Sequence, residues 1–329
     1  MTVRDLLPIL LVAGALALVP LFVTANAVLN FLVFVLIVAL AAQGWNLLGG
    51  FGGQFSFGHA AFFGTGAYAT AILQSRYGAN AWGAFALAVG AGALVGSAIG
   101  YLSFRSGLRG SYFALITLAF AEVFRILANA AGITGGAAGL LITLDVGAAN
   151  FQFASRAGFF WAALSLVAAV LVITRAVERS RFGAQLVAVR ENEEAARALG
   201  VDALAVKLKA IALSAAVTAA AGALYAQYFL YIDAQIAFGT WISVEALLAP
   251  IVGGVGTVSG PLVGAFALHG LGEATKLLAG RVPGIDLVIF GLLLVLVVAF
   301  APDGLLGAVK RARARIPRRS SARAPAEAL

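Results

Sequence analysis

Charge is what this chain lacks most. Of its 329 residues only 11% are charged, while 62% are hydrophobic and the mean hydropathy is +1.00. Roughly a quarter of the residues of a soluble domain are charged. Too few remain here to cover a water-facing surface, and that excludes a soluble fold. Cysteine is absent, which removes disulfides, thiolate nucleophiles and cysteine metal sites, and leaves the redox compartment unmarked. Only two histidines occur, His59 and His269, too few and too widely spaced for a histidine-based metal site. No cluster of acids, histidines or nucleophiles suggests a reaction, so no catalytic and no metal-binding residue is assigned.

What is present is apolar and patterned in long runs. These cover residues 6–24, 27–48, 58–73, 81–104, 111–129, 158–174, 208–231, 241–252, 260–278 and 284–300. A spanning helix needs about 20 mostly apolar residues, so the expected fold class is all-α, a polytopic transmembrane helix bundle of about ten spans. Segment 241–252 is too short for a full span. It reads as a half-helix or re-entrant piece, which protein or a wet cavity must surround; if it does not cross, about eight spans is the next count that keeps the charges on their sides. Residues 6–23 could pass for a signal peptide, since Ala25-Asn26-Ala27 fits a small-x-small cleavage pattern. Arg4 and Asp5 before it, its length and the second apolar run directly after it favour a retained first helix. Glycine is abundant, with 39 residues. Small-x-x-x-small spacings at Gly92, Gly96 and Gly100, and at Gly132 and Gly136, imply close helix packing through small side chains.

The formal net charge of +8 is concentrated: seven of the 22 Lys and Arg lie in 175–209 and seven more in 310–323. Basic segments beside spans mark the cytoplasmic face, a reading favoured here over nucleic-acid binding. With 175–209 inside, Arg4, Arg105, Arg109 and the basic tail also fall inside, and both termini are cytoplasmic. The chain divides into a membrane domain over 1–309, containing the charged loop 175–209, and a basic tail over 310–329 expected to be disordered. Within the loop, Asn192 is placed as an N-cap. Glu193 and Glu194 follow in the first turn, where the helix dipole favours negative charge. Glu193 and Arg197 are spaced to pair, and Gly200 is placed to end the helix. Residues 193–199 therefore read as a short capped surface helix whose Ala195, Ala196 and Leu199 form a small apolar patch. It is either a solvated loop helix or a docking helix for a cytoplasmic partner.

Two glycine-rich breaks interrupt the apolar pattern. Gly49, Gly50, Gly52 and Gly53 precede Gln54, Ser56 and His59; Gly253, Gly254 and Gly256 precede Pro261. A broken helix exposes backbone polar groups that need partners, and transporters place such breaks at binding or gating regions. Neither run is a P-loop, because the required Gly-Lys-Ser/Thr is missing. Glu122 and Arg125 are three residues apart with Asn129 on the same face, either as a pair that fixes helix packing or as part of a pathway. Gln54, Ser56, His59, Thr117, Glu122, Arg125 and Asn129 are the pathway or gating candidates, although His59 reads first as a hydrogen-bonded helix-start residue. If transport is driven by ATP, the ATPase is another chain; an ion-coupled secondary transporter that needs none is the alternative reading, with Glu122 as its candidate carboxylate, and co-purification with an ATPase separates the two.

The blocks GWNLLGGFGGQFSFGHAAFFGTGAYATAIL (44–73), RGSYFALITLAFAEVFRILANAAGITGGAAGL (109–140), EEAARALG (193–200), AIALSAAVTAAAGALYA and GGVGTVSGPLVGA (253–265) carry a resemblance. Their order and spacing are similar to those of branched-chain amino-acid ABC transporter permeases, in the LivM-type form more than the LivH-type form. Phe51 departs from the usual tyrosine of that family, and Pro250 from the usual aliphatic residue. The resemblance implies a permease subunit in a bacterial plasma membrane, importing branched-chain or related amino acids. It implies a second homologous permease, two cytoplasmic ATPase subunits that bind the ATP and Mg, and an extracytoplasmic substrate-binding protein, with no cofactor on this chain. The 193–200 region would then be a coupling helix that, with Arg190, Glu193, Glu194, Ala195, Ala196, Arg197, Leu199 and Gly200, meets an ATPase.

Overall fold

The computed structural model describes residues 3–279 and 303–315, with isolated positions between them. The apolar segment at 284–300, apart from those isolated positions, and the tail beyond 315 lie outside the described residues. The helices in chain order are α1 (Val3–Ala17), α2 (Val19–Phe22), α3 (Asn26–Trp45), α4 (His59–Tyr77), α5 (Ala81–Arg105), α6 (Gly110–Ala130) and α7 (Arg156–Glu178). There follow α8 (Arg181–Glu191), α9 (Glu193–Ala198), α10 (Ala203–Phe229), α11 (Ala234–Ala237), α12 (Thr240–Gly253), α13 (Gly260–Ala279) and α14 (Gly304–Arg315). Lys310 and Arg315 of the basic tail thus belong to a helix. Among the described residues, strand pairing is confined to Leu140 opposite Ile232 and Leu141 opposite Tyr231, which ties the connection after α6 to the end of α10.

The chain is a polytopic helix bundle. Seven described stretches are long and apolar enough to cross a membrane: Asp5–Phe22, Asn26–Phe51, Ala81–Arg105, Gly110–Ala130, Arg156–Glu178, Ala203–Phe229 and Ala234–Gly253. The last is broken: α12 itself has 14 residues. At 1.5 Å per residue it is about 21 Å long, against a hydrocarbon core of about 30 Å, so it is a short helix of the kind expected at 241–252. Pro250 lies in its last turns, where the missing N–H interrupts the ladder, and the helix stops at Gly253.

The centre of the bundle is α10, packed against α3, α4 and α5 and buried along most of its length. Its sequence is rich in alanine because the neighbouring backbones come very close. A Cβ added at Gly92, Gly96 or Gly100 of α5 would stand 2.3 Å from Ala219 Cβ, 2.3 Å from Ala215 Cβ and 2.5 Å from Ile211 Cγ2. The expected packing role of this glycine stripe is therefore met along one face of α10. The Gly132 and Gly136 spacing does not act in the same way. Both lie in short 3₁₀ turns after α6, and a side chain at Gly132 would meet nothing. Spacing alone suggested helix contact there, but the chain has already left the helix.

One boundary differs in an informative way. The apolar pattern begins at 208, yet α10 starts at Ala203, with the Asp202 carboxylate accepting from Ala205 N at 3.0 Å. Lys207 thus lies inside the helix and is buried; its charge hides a helical turn from hydropathy.

Replacing Gly96 with leucine forces a branched side chain into the α5–α10 contact. Overpacking of this kind costs about 1–3 kcal/mol or more. We expect Gly96→Leu to lower the detergent melting temperature and membrane abundance, while Gly83→Leu, where a Cβ meets nothing, leaves both near wild type. Fluorescence-detected size exclusion after heating measures the difference.

Candidate functional site

The charged loop folds as two helices joined at Asn192. Ser180 caps α8, accepting from Gly183 N at 3.1 Å, and Asn192 caps α9, accepting from Ala195 N at 3.0 Å. Gly200 ends α9 with φ +84°, the left-handed conformation that glycine adopts without steric cost. The cap, the first-turn acids and the terminal glycine lie where the sequence placed them.

Glu193 does more than pair along its helix. Its carboxylate meets Arg197 at 2.6 Å, Lys207 of α10 at 2.6 Å and Arg109, just before α6, at 3.5 Å. The side chain is 11% exposed and that of Lys207 only 6%, and the Lys207 ammonium also stands 5.5 Å from the Phe104 ring centre. Burial alone would raise the Glu193 pKa. The hydrogen bond from Lys207 and the charges of Lys207, Arg109 and Arg197 outweigh it and hold the carboxyl below its ordinary value. Glu193 is thus a brace between α9, α10 and the start of α6. Ala196 also turns inward and is buried, so it does not belong to the outward apolar patch expected of it. Glu194, Ala195 and Arg197 are exposed, and Leu199 is 85% exposed. They form the outward surface of α9.

Arg190, the last basic residue of α8, stays partly open to solvent but lays one edge of its guanidinium against the bundle. Its Nη1 donates to the Gly50 carbonyl at 3.0 Å, while Nε and Nη2 donate to Glu191. Gly50 lies in a π-helical turn, Asn46–Phe51, that continues α3. Gly53 then reverses the chain with φ +66°, and a Cβ there would stand 2.4 Å from Arg190 Cγ. The second break is folded onto the first. Asn46 Oδ1 accepts from Gly256 N at 2.8 Å, Asn46 Nδ2 donates to the Thr257 carbonyl at 2.9 Å, and Gln43 Nε2 donates to the Val258 carbonyl at 2.7 Å. Of the glycines in the two breaks, Gly50 and Gly256 meet, with Arg190 beside them, while Gly49 and Gly52 pack within their own segment and on Leu186, and Gly253 and Gly254 pack on Gly260, Gly264 and Leu306. Sequence reasoning missed Gln43 and Asn46. Their signal was two amides almost one helical turn apart in an otherwise apolar run.

A second polar group sits where α4 begins inside the bundle. Trp45 Nε1 donates to the Ser56 carbonyl at 2.8 Å, Gly58 N to Ser56 Oγ at 3.2 Å, and Phe57 N to Thr117 Oγ1 at 3.2 Å. Ala60 N donates to Ser243 Oγ of α12 at 2.9 Å. Ser214 Oγ gives its proton to the Gly44 carbonyl at 2.6 Å, so His59 Nε2, 2.9 Å away, must be the donor to Ser214. His59 is the first residue of α4 and fully buried, as a helix-start residue would be. Gln54 stands apart, with its amide on the Gly52 carbonyl at 3.1 Å. Glu122 and Arg125 are hydrogen-bonded at 2.9 Å and half-exposed farther along α6, with Asn129 exposed beyond them. They are not joined to the His59 group. Among the described residues, no three His, Asp or Glu side chains converge as a metal site requires.

Comparison with known proteins adds a family. A family model described as branched-chain amino acid transport system, permease component, matches residues 27–298. The high-affinity branched-chain amino acid transport system permease protein LivM of Salmonella typhimurium is 28% identical over 87% of this chain and 71% of its own length. The probable branched-chain amino acid transport permease protein LivM of Methanocaldococcus jannaschii is 26% identical over 73% and 74%. LivH of Escherichia coli is 32% identical over 42% of this chain and 44% of its own. No solved structure matches.

The lowered Glu193 pKa fixes a pH dependence. A depressed carboxyl contributes stability above its unfolded value of 4.5 and loses it as pH falls through the folded value. Hydrogen exchange in residues 193–207 should stay slow from neutral pH down to that range and rise below it. Glu193→Ala should expose the same amides at pH 7, because it leaves Lys207 buried without a counter-charge, at a cost of about 3–5 kcal/mol.

Proposed function

Because this chain belongs to the permease-component family of branched-chain amino acid transport systems, we propose that it is one of two membrane subunits of an ATP-binding-cassette importer that carries branched-chain or related amino acids inward. It is a multi-pass inner-membrane protein and a transporter component. The P-loop lysine needed for nucleotide binding is missing from its glycine runs, so ATP and Mg bind and react on two partner ATPases. The second permease is a homologue of the LivH kind, and an extracytoplasmic binding protein delivers the solute. Residues 181–200 face the cytoplasm in this reading.

The observation that carries it is the two-sided character of α9. Its inward side is fixed by the buried Glu193–Lys207 pair and by Ala196. Its outward side presents Leu199 with Glu194, Ala195 and Arg197. A solvated loop helix has no use for a bracing ion pair on one side and an exposed leucine on the other, whereas a helix pushed by a partner needs both. The brace stops the push from being absorbed within the loop, and the leucine offers an apolar contact to a groove.

The test uses the purified complex with its ATPases. We expect ATP-dependent uptake of radiolabelled leucine, isoleucine or valine into vesicles, and no ATPase activity from this chain alone. Leu199→Asp, which touches nothing inside the bundle, should abolish ATPase co-purification at unchanged membrane abundance. Retention of the ATPases by that variant would contradict the assignment of α9.

A further inference from the structure

Of the basic residues in the loop, Arg190 is unusual in where it points. Arg197 meets the loop's own Glu193, and Arg179 meets Asp5. Arg190 instead reaches a backbone carbonyl of the first helix break, and its aliphatic stem fills the space above Gly53. A Cβ at Gly256 of the second break would stand 3.3 Å from the Gly50 carbonyl oxygen and 3.6 Å from Arg190 Nη1. One guanidinium therefore bonds to the loop and to the first break, and a side chain at Gly256 of the second would meet it. Gly50 is buried and sits in the last turn of a helix, where carbonyls lose their helical partners. Arg190 supplies a donor to that carbonyl.

The breaks are also the places where α3 and α12 can bend. There the regular i→i+4 ladder gives way to a π-turn in the first and to left-handed glycines in both. Gln43 and Asn46 couple them side by side, so movement of one carries the other. Resting on the reading that partner ATPases push α9, we propose that Arg190 is a positioning residue that transmits the movement of α8 and α9 to both helix breaks. It would act inside the permease, not at the ATPase contact. Glu193 holds the loop to α10, and Arg190 ties it to the segments that bend.

A purely structural role predicts loss of abundance, while a transmitting role predicts loss of coupling. The decisive quantity is leucine transported per ATP hydrolysed by the reconstituted complex, measured beside membrane abundance. Arg190→Met keeps the aliphatic stem and removes the donors. We expect its ratio to fall about tenfold, within the usual range for coupling between distant sites, at near-normal abundance. Arg190→Lys retains one point donor without the fork and should fall in between. Glu191→Gln leaves the Gly50 bond in place and should stay close to wild type. Asn46→Asp, which loses the amide donor to Thr257 without touching the loop, gives a second reading if Arg190→Met does not accumulate, and its ratio should fall by the same order. A normal ratio in Arg190→Met, or in Asn46→Asp where the first cannot be made, overturns the proposal, as does an equal fall in Glu191→Gln. A wild-type complex that takes up no leucine, isoleucine or valine with ATP overturns the importer reading and this proposal with it.

Discussion

Inside an apolar bundle every backbone amide and carbonyl must find its partner within the protein, because no water is there to supply one. Regular helices meet this demand by themselves, and broken ones do not. The loop end of this molecule is organised around that deficit. The π-turn at Asn46–Phe51 and the bends after Gly253 release backbone groups, and Gln43, Asn46, Thr257 and Arg190 take them up. At the start of α4 the same demand is met by Ser56, Thr117 and Ser243. These polar side chains are few in a chain this apolar, and most of them serve backbone rather than one another.

The same arrangement links the charged loop to the bundle. Two anchors hold it, one ionic and one through a backbone carbonyl. Glu193 fixes α9 to Lys207 of α10, a helix buried along most of its length, and Arg190 fixes α8 to Gly50. Since α10 also packs on α3, α4 and α5, force applied to α9 reaches the centre of the bundle directly. The close α5–α10 contact through Gly92, Gly96 and Gly100 makes that centre stiff, so bending falls to the glycine breaks. In the proposed importer, the close-packed core, the glycine breaks and the braced loop would act together as a lever.

Much of this was legible in the sequence, and the limits have physical causes. Apolar runs marked the bundle because lipid imposes a simple rule on composition. Asn192, Glu193, Glu194 and Gly200 announced α9 because capping is local chemistry. The glycine runs announced breaks but not their meeting, since 49–53 and 253–256 are far apart in sequence and no local rule relates them. Lys207 disguised the first turns of α10 as loop, because hydropathy counts a lysine as exposed even when a carboxylate awaits it. Ala196 faces inward while Ala195 and Leu199 face out, because spacing within a bent loop does not say which side meets the bundle. Glu122, Arg125 and Asn129 share a helix face as their spacing required, but their distance from the His59 group was not readable from the sequence.

In the proposed importer, α8 and α9 move as one body with the first helix break while ATP is turned over. The chain has no cysteine, so pairs of spin labels can be placed cleanly on exposed positions. Phe55 follows the break, Gln185 lies on the exposed side of α8, and Tyr77 ends α4. Pulsed electron resonance on the complex, before and during ATP turnover, compares Phe55→Cys/Gln185→Cys with Tyr77→Cys/Gln185→Cys. Coupled movement of the loop and the break leaves the first distance unchanged and shifts the second. A shift in the first pair with none in the second would contradict it, because the loop would then be moving free of the break it is said to drive.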